Sequence, residues 1–227
     1  MIHRVKSFIF EKANFKKMID LKEKYELEDS MGFRGQWDEH RRFQIETLKL
    51  QGLRPEHRLL ELGCGPLTAG IPVIEYLRPG HYIGVDIRSS VLDLGWREVG
   101  KAGLSGKNPR LICSNAFASD ELRGERFDFV YSFSVLYHLG DDILDKYFET
   151  VSERLLLSGV CLANVSTHLP DDKWLEFPFL NRPVQTYVSM AQKHGLTTTN
   201  HGTLADLGFR SPATEKNNPL LSFRLRS

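Results

Sequence analysis

Cysteine is scarce in this chain: Cys64, Cys113 and Cys161 are the only three, and no two stand close together. An odd, unclustered set argues against a disulfide framework, and without a CxxC pair a structural zinc site has no sequence basis. Each thiol lies in or beside a predicted buried strand, where it should act as a small apolar group. No apolar run is long enough to span a bilayer, so no stable membrane insertion is expected. Net charge is nearly absent too, at +1 from 30 basic and 29 acidic residues. No global field would hold the protein on nucleic acid. The amino terminus mixes lysines with apolar residues but has neither an uninterrupted h-region nor a cleavage site, which makes the cytoplasm the expected compartment. No GK[ST] follows any glycine turn, which excludes a P-loop. Internal repeats and low-complexity tracts are also missing.

What is present fits a globular domain with an attached segment: 227 residues, 41% hydrophobic and 26% charged. Residues 1–50 of an amino-terminal block at 1–54 read as helical, with a polar break at Gly32-Phe33-Arg34-Gly35-Gln36. A second helix runs from about Trp37 to Leu50 and stops at Gly52, with Pro55 beyond. This block is expected to form a helical amino-terminal cap or lid, and residues 55–227 the main domain. From Arg58 onward strands and helices alternate. The strands are Arg58–Leu62, Tyr82–Val85, Arg110–Cys113, Phe127–Ser132 and Val160–Val165. The helices fall at about 68–77, 91–101, 142–155 and 184–193. Repeated βα units imply an α/β domain, a parallel sheet with helices on both faces. Residues 167–183, with three prolines and several aromatics, read as an ordered loop. The last apolar segments, near 196–204 and 220–225, are separated by Ser211-Pro212 and Asn217-Asn218-Pro219. No helix fits between them, so they should pair antiparallel at an edge of the sheet.

The chemistry concentrates at Leu59-Leu60-Glu61-Leu62-Gly63-Cys64-Gly65-Pro66. An apolar strand ends on a carboxylate, and a glycine turn follows at once. The next strand ends on Asp86. Ligands of open α/β sheets bind at the carboxyl ends of the strands, so both acids and the turn belong to one crevice. Gly63 and Gly65 let the backbone approach a ligand, and Asp86 can accept from both hydroxyls of a ribose. A dinucleotide fingerprint would need glycine or alanine at Thr68. Glu61 would also oppose an anionic pyrophosphate, whereas it would favour a sulfonium or an ammonium. A nicotinamide-dependent oxidoreductase therefore stands as an alternative reading, not the leading one. Glu61 as a cap and Asp86 as a turn former are the structural alternatives for those residues. Asp128 reads as structural.

Over residues 55–227 the chain resembles the class I S-adenosylmethionine-dependent methyltransferases. The resemblance rests on Glu61-Leu62-Gly63-Cys64-Gly65, on Asp86, and on the fourth-strand segment Phe127–Leu139. Leu67 stands where the family's third glycine would be. The resemblance implies a Rossmann-like, seven-stranded, mostly parallel sheet with an antiparallel carboxy-terminal hairpin. It implies S-adenosyl-L-methionine as cofactor and S-adenosyl-L-homocysteine as product. It assigns Glu61, Gly63, Gly65 and Asp86 to the cofactor. Asn115, Ala116 and Phe117 fall at the adenine, and Ser132 and Phe133 at the methionine end. The family's base-amino methyltransferases carry [DNS]PP[YF] after strand four; here the residues are Ser132-Phe133-Ser134-Val135. Nucleic acid is therefore not the expected substrate.

Methyl transfer mainly requires alignment of the acceptor, and a hydroxyl acceptor also requires removal of its proton. His138, just past strand four, is the first candidate for that base; His168, His40 and Tyr25 are weaker ones. His168-Leu169-Pro170-Asp171-Asp172 reads as a solvated loop, not as a metal site. Trp174 and Phe177 could wall an acceptor pocket. The expected activity is O-methylation of a small or medium organic acceptor, such as a glycan unit or a secondary metabolite, and a homodimer is possible. A non-catalytic cofactor-binding partner protein of the same fold is the second alternative.

Overall fold

A computed structural model describes residues 35–118, 120–168, 172–210 and 218–226. The chain divides into two compact units, residues 1–40 and 41–227. Of the first, the description covers the turn at Gly35 and the start of helix α1 (Trp37–Leu50). The expected cap therefore lies largely outside the described residues, as do Tyr25, Phe33 and Asp171.

The second unit is built on β1 (Leu59–Leu62), β2 (Tyr82–Asp86), β3 (Arg110–Cys113), β4 (Phe127–Ser132), β5 (Leu155–Asn164), β8 (Leu196–Thr203) and β9 (Pro219–Leu225). Their order in the sheet is β3-β2-β1-β4-β5-β9-β8. The first five are parallel, and β9 pairs antiparallel with both β5 and β8. Helices α2 (Gly70–Tyr76), α3 (Ser89–Lys101), α4 (Asp141–Arg154) and α5 (Val184–Lys193) complete the domain. A small hairpin, β6 (Lys173–Trp174) and β7 (Phe177–Pro178), precedes α5.

Strand alternation sorts the core into two layers. Leu59, Tyr82, Phe129, Tyr131, Val160 and Leu162 face one layer, which also takes Phe43, Leu48, Ile74 and Leu92. Leu60, Leu62, Val85, Val130, Cys161 and Ala163 face the other, with Leu144, Tyr147, Phe148 and Val151 of α4. The α4 spacing of i, i+3, i+4 and i+7 is the stripe that a helix lays on a sheet. Asp141 and Asp142 stand in its first turn, where the helix dipole favours negative charge. The sheet thus has helices on both faces, and the terminal strands pair as the prolines and asparagines between them required.

Three local expectations change. The strand expected at Val160–Val165 begins earlier, at Leu155, so that Leu157-Ser158-Gly159 lies within it, where the β4–β5 register shifts. A Cβ on Gly159 would stand 3.0 Å from the backbone oxygen of Asp128, so this irregular step needs glycine. Within the loop expected at 167–183, β6 and β7 pair antiparallel. Cys113 is exposed, because β3 is an outer strand of the sheet, while Cys64 and Cys161 are buried. Asp128 accepts from the backbone N–H of Arg58 at 2.8 Å, a structural role that ties β4 to the start of β1.

Candidate active site

Glu61 is the third residue of β1 and points to the same layer as Leu59. It is 3% exposed. The Tyr82 hydroxyl donates to its Oε2 at 2.6 Å. Among the described residues no basic side chain pairs with it. Burial pushes its carboxyl up to about 8; the bond from Tyr82 opposes this and the charge of Asp86 adds to it. Near neutral pH the unliganded acid is therefore mostly protonated. A cation arriving at the crevice would reverse that preference.

The glycine turn follows directly. Gly63 has φ +78° and Gly65 φ +51°, in the region that glycine adopts at little cost. A Cβ on Gly63 would come 2.5 Å from a methyl of Val135, so the turn is pressed against the segment after β4. The N–H groups of Gly63 and Cys64 both donate to Val85 O, at 2.8 and 3.0 Å. Gly65 N–H donates to Asp86 Oδ2 at 2.9 Å, and Leu67 N–H to Cys64 O at 3.1 Å. Pro66 has no N–H. The N–H groups of Gly63, Cys64, Gly65 and Leu67 are thus used within the chain.

Leu67 takes the place of a third glycine and keeps its backbone conformation, with φ +67°. Left-handed geometry costs a leucine about 1–2 kcal/mol. Full burial of its side chain, worth about 1.5–3 kcal/mol, offsets that. Room for it comes from Gly70 and Gly95, where an added Cβ would lie 2.7 and 3.0 Å from Leu67 side-chain atoms.

Asp86 ends β2, 7% exposed. Its Oδ2 accepts from Gly65 N–H and its Oδ1 from Arg88 N–H, both at 2.9 Å. Arg88 Nε lies 3.6 Å from Oδ1. The two backbone bonds fix the carboxylate plane. Each oxygen keeps a further lone pair, the arrangement that a vicinal diol needs.

Beyond β3, Asn115 is exposed, Ala116 N–H donates to Ser114 Oγ at 3.2 Å, and Phe117 has φ +53° and meets Tyr147 edge-on. Ser132 is fully buried: its hydroxyl donates to Leu62 O at 2.9 Å and accepts from Tyr147 at 3.0 Å. Its side chain ties β4 to β1 and is not presented to the crevice. Phe133 packs on Phe43 and Phe209 in the layer that holds Glu61.

His138 closes a 3₁₀ turn, Leu136–His138, after β4. Its Nδ1 lies 3.0 Å from Pro178 O. A carbonyl only accepts, so Nδ1 carries the proton and Nε2 is the basic nitrogen. Burial lowers its pKa; the bond to Pro178 opposes and the positive charge of Arg88 assists. The β6–β7 hairpin holds this histidine through Phe177 and Phe179, with ring centroids 6.1 and 5.2 Å away. Phe177 also lies 5.5 Å from the Arg88 guanidinium, so it bridges the exits of β2 and β4 on either side of β1. The Trp174 side chain lies outside the description. His168 is exposed, and among the described residues no cluster of acids, histidines or cysteines could hold a metal. An open cavity of about 510 Å³ between Asp120, Arg123, Glu125, Arg126 and Arg154 lies at the opposite end of the strands; beside it Glu125 pairs with Arg58 and Arg110.

Sequence reasoning passed over three neighbours of the crevice. Ile87, directly after Asp86, is an apolar side chain 54% exposed at a strand exit, and it could have been found as an apolar residue just past the predicted strand. Arg88 and Val135 carry no local signal; their roles arise from contacts across strands.

The raised carboxyl of Glu61 makes stability depend on pH in a defined sense. A group whose folded pKa exceeds its unfolded value stabilises fully below the latter, and loses that contribution as pH rises to the folded value. For unliganded protein the loss runs from about 4.5 to about 8. Glu61→Gln should therefore raise the thermal midpoint at pH 8–9, with the advantage shrinking toward pH 5. Thermal melts across that range check it.

A family model described as a methyltransferase domain matches residues 60–161, from β1 through β5. Among curated proteins, none matches the chain by sequence. Solved structures do match by fold. An S-adenosylmethionine-dependent methyltransferase from Clostridium acetobutylicum aligns with a TM-score of 0.63 at 16% identity, over 84% of this chain and 92% of that one. The CcbJ methyltransferase from Streptomyces caelestis gives 0.64 at 16% identity, over 82% and 90%. The glycopeptide N-methyltransferase MtfA, complexed with S-adenosyl-L-homocysteine, gives 0.61 at 17% identity, over 81% and 88%. At such identities the likeness is one of fold. Residues 60–161 thus match a methyltransferase domain, and the fold is the one that these S-adenosylmethionine-dependent methyltransferases share.

Proposed function

We propose that this enzyme transfers a methyl group from S-adenosyl-L-methionine to a hydroxyl of a small or medium organic acceptor, and that the assigned residues act as follows. The observation carrying this reading is the Asp86 carboxylate, held in plane by Gly65 and Arg88 N–H beside a buried Glu61. Asp86 would accept from the ribose hydroxyls. Ile87 and the Asn115–Phe117 backbone would flank the purine. Gly63 and Gly65 would let the chain approach the ligand, with Glu61 beneath them favouring positive charge. Phe133 would flank the methionine end, and Ser132 acts by fixing β4 against β1.

When bound, the sulfonium supplies an electrophilic methyl and leaves as a neutral thioether. The chain's own part is to align the acceptor, exclude water and take a proton. Phe177 and Phe179 narrow the mouth on the side of His138. His138 Nε2 would accept the acceptor's hydroxyl proton, since its lowered pKa keeps the ring neutral at physiological pH.

Two outcomes test the assignment. Asp86→Ala should weaken S-adenosyl-L-homocysteine binding by about 1–3 kcal/mol, read by titration calorimetry; an unchanged Kd would remove Asp86 from the ribose site. His138→Ala should lower kcat by about a hundredfold or more with cofactor affinity unchanged. The wild-type rate should fall as pH drops below the ordinary histidine range, and the variant should lose that acid limb. Normal turnover by the variant would end the role of His138. Turnover on no acceptor despite tight cofactor binding would favour a non-catalytic partner protein.

A further inference from the structure

Strand β7 has two residues, and between them they reach the exits of both β2 and β4. The Phe177 ring centroid lies 5.5 Å from the Arg88 guanidinium and 6.1 Å from the centroid of the His138 ring. The carbonyl of Pro178 accepts from His138 Nδ1 at 3.0 Å. Arg88 follows β2 and His138 follows β4, on either side of β1. One short strand thus joins a cation beside Asp86 to the candidate base.

Arg88 is held at its own root. Its N–H donates to Asp86 Oδ1 at 2.9 Å, and its Nε lies 3.6 Å from the same oxygen. The side chain is 19% exposed, so a group with many rotamers is kept in one place, its guanidinium over the Phe177 ring. A cation within about 6 Å of an aromatic centroid is attracted by the ring face. The hairpin needs such a hold. Strands β6 and β7 pair over two residues each, and a two-stranded ribbon that short is not stable alone. After β7 the chain is tied by Phe179 N–H to Asp172 O at 3.1 Å and by Leu180 N–H to Tyr137 O at 2.8 Å. Phe177 on Arg88 is a tie on the other side of Pro178.

The position of the Pro178 carbonyl matters because it selects a tautomer. A neutral imidazole has one ring proton, and Nε2 can accept only when that proton is on Nδ1. The carbonyl holds it there. A shift of β7 by about 1 Å would stretch this contact beyond hydrogen-bonding distance and free the proton to move to Nε2.

Resting on the reading of His138 as the base, we infer that Arg88 is a positioning residue: through Phe177 it holds β7 so that Pro178 O keeps His138 in the tautomer whose Nε2 accepts a proton. Arg88 itself touches neither the methyl group nor the acceptor oxygen. Since Asp86 holds the guanidinium, the acid assigned to the ribose and the base share one support.

The test reads the tautomer and needs no acceptor. In the full chain with ¹⁵N-labelled histidine, the His138 signals are identified by their loss in His138→Gln. Long-range proton–nitrogen correlations at about pH 8, above the ordinary histidine range, report which ring nitrogen is protonated. The wild type should show the proton on Nδ1. Arg88→Ala keeps the backbone N–H that bonds Asp86, and it should shift the ratio of the two forms toward Nε2–H by roughly fivefold or more, the equivalent of losing one hydrogen bond. Phe177→Leu should do the same, and the double variant should go no further than either single one. Phe177→Tyr, which keeps the ring face, should retain the wild-type tautomer. An unchanged tautomer in Arg88→Ala would mean that the Leu180 bond holds the hairpin unaided, and it overturns the inference. So do additive effects in the double variant, or a Phe177→Tyr that behaves like Phe177→Leu. Should Arg88→Ala fail to fold, Arg88→Gln, which removes the charge and keeps the stem, takes its place with the same expectation. None of these signals depends on turnover: normal turnover by His138→Ala would end the base reading and leave the tautomer result standing.

Discussion

A buried carboxyl group with no cationic partner among the described residues precedes a glycine turn that a second acid holds from the next strand, and the site is organised around that pair of facts. Glu61 gains one hydrogen bond, from Tyr82, and otherwise meets apolar surroundings and the charge of Asp86. Burial of an unpaired charge is expensive, so the acid holds its proton. Two acids at the turn, Glu61 and Asp86, select against phosphate and in favour of a cation. The preference does not come from net charge, which is close to zero; it comes from where two acids are placed.

Sheet geometry does the placing. Glu61, Gly63, Tyr131 and Phe133 share one face by simple alternation. Parallel strands end together, so the acid of β2 reaches the turn after β1 without a long side chain. The exits of β2 and β4 flank that turn, and a two-stranded hairpin reaches both through Phe177. The parts of the candidate site thus come from loops, while their spacing is set by strands.

Much of this was legible in the sequence. Alternating strands and helices, the breakers between the last two strands, and the acid–glycine–acid pattern gave the fold and the crevice, because each depends on local periodicity or on a residue type with a strong backbone preference. What escaped depends on contacts between distant segments. The run Leu157-Ser158-Gly159 has turn composition, yet pairing with β4 keeps it in the strand. Ser132 looks like a ligand contact, but Tyr147 and Leu62 claim its hydroxyl. Leu67 breaks the glycine pattern while keeping the glycine conformation, and only the space left by Gly70 and Gly95 explains it. Arg88 and Val135 are ordinary residues until contacts across strands join them to the crevice.

The central claim is that a buried neutral acid becomes a charged one when the cationic ligand arrives. Calorimetric titration of S-adenosyl-L-methionine at pH 7, in two buffers of different ionisation enthalpy, tests it directly. Proton release on binding, lost in Glu61→Gln, is the predicted result. Enthalpies that do not depend on the buffer, or release that persists in the variant, would contradict it.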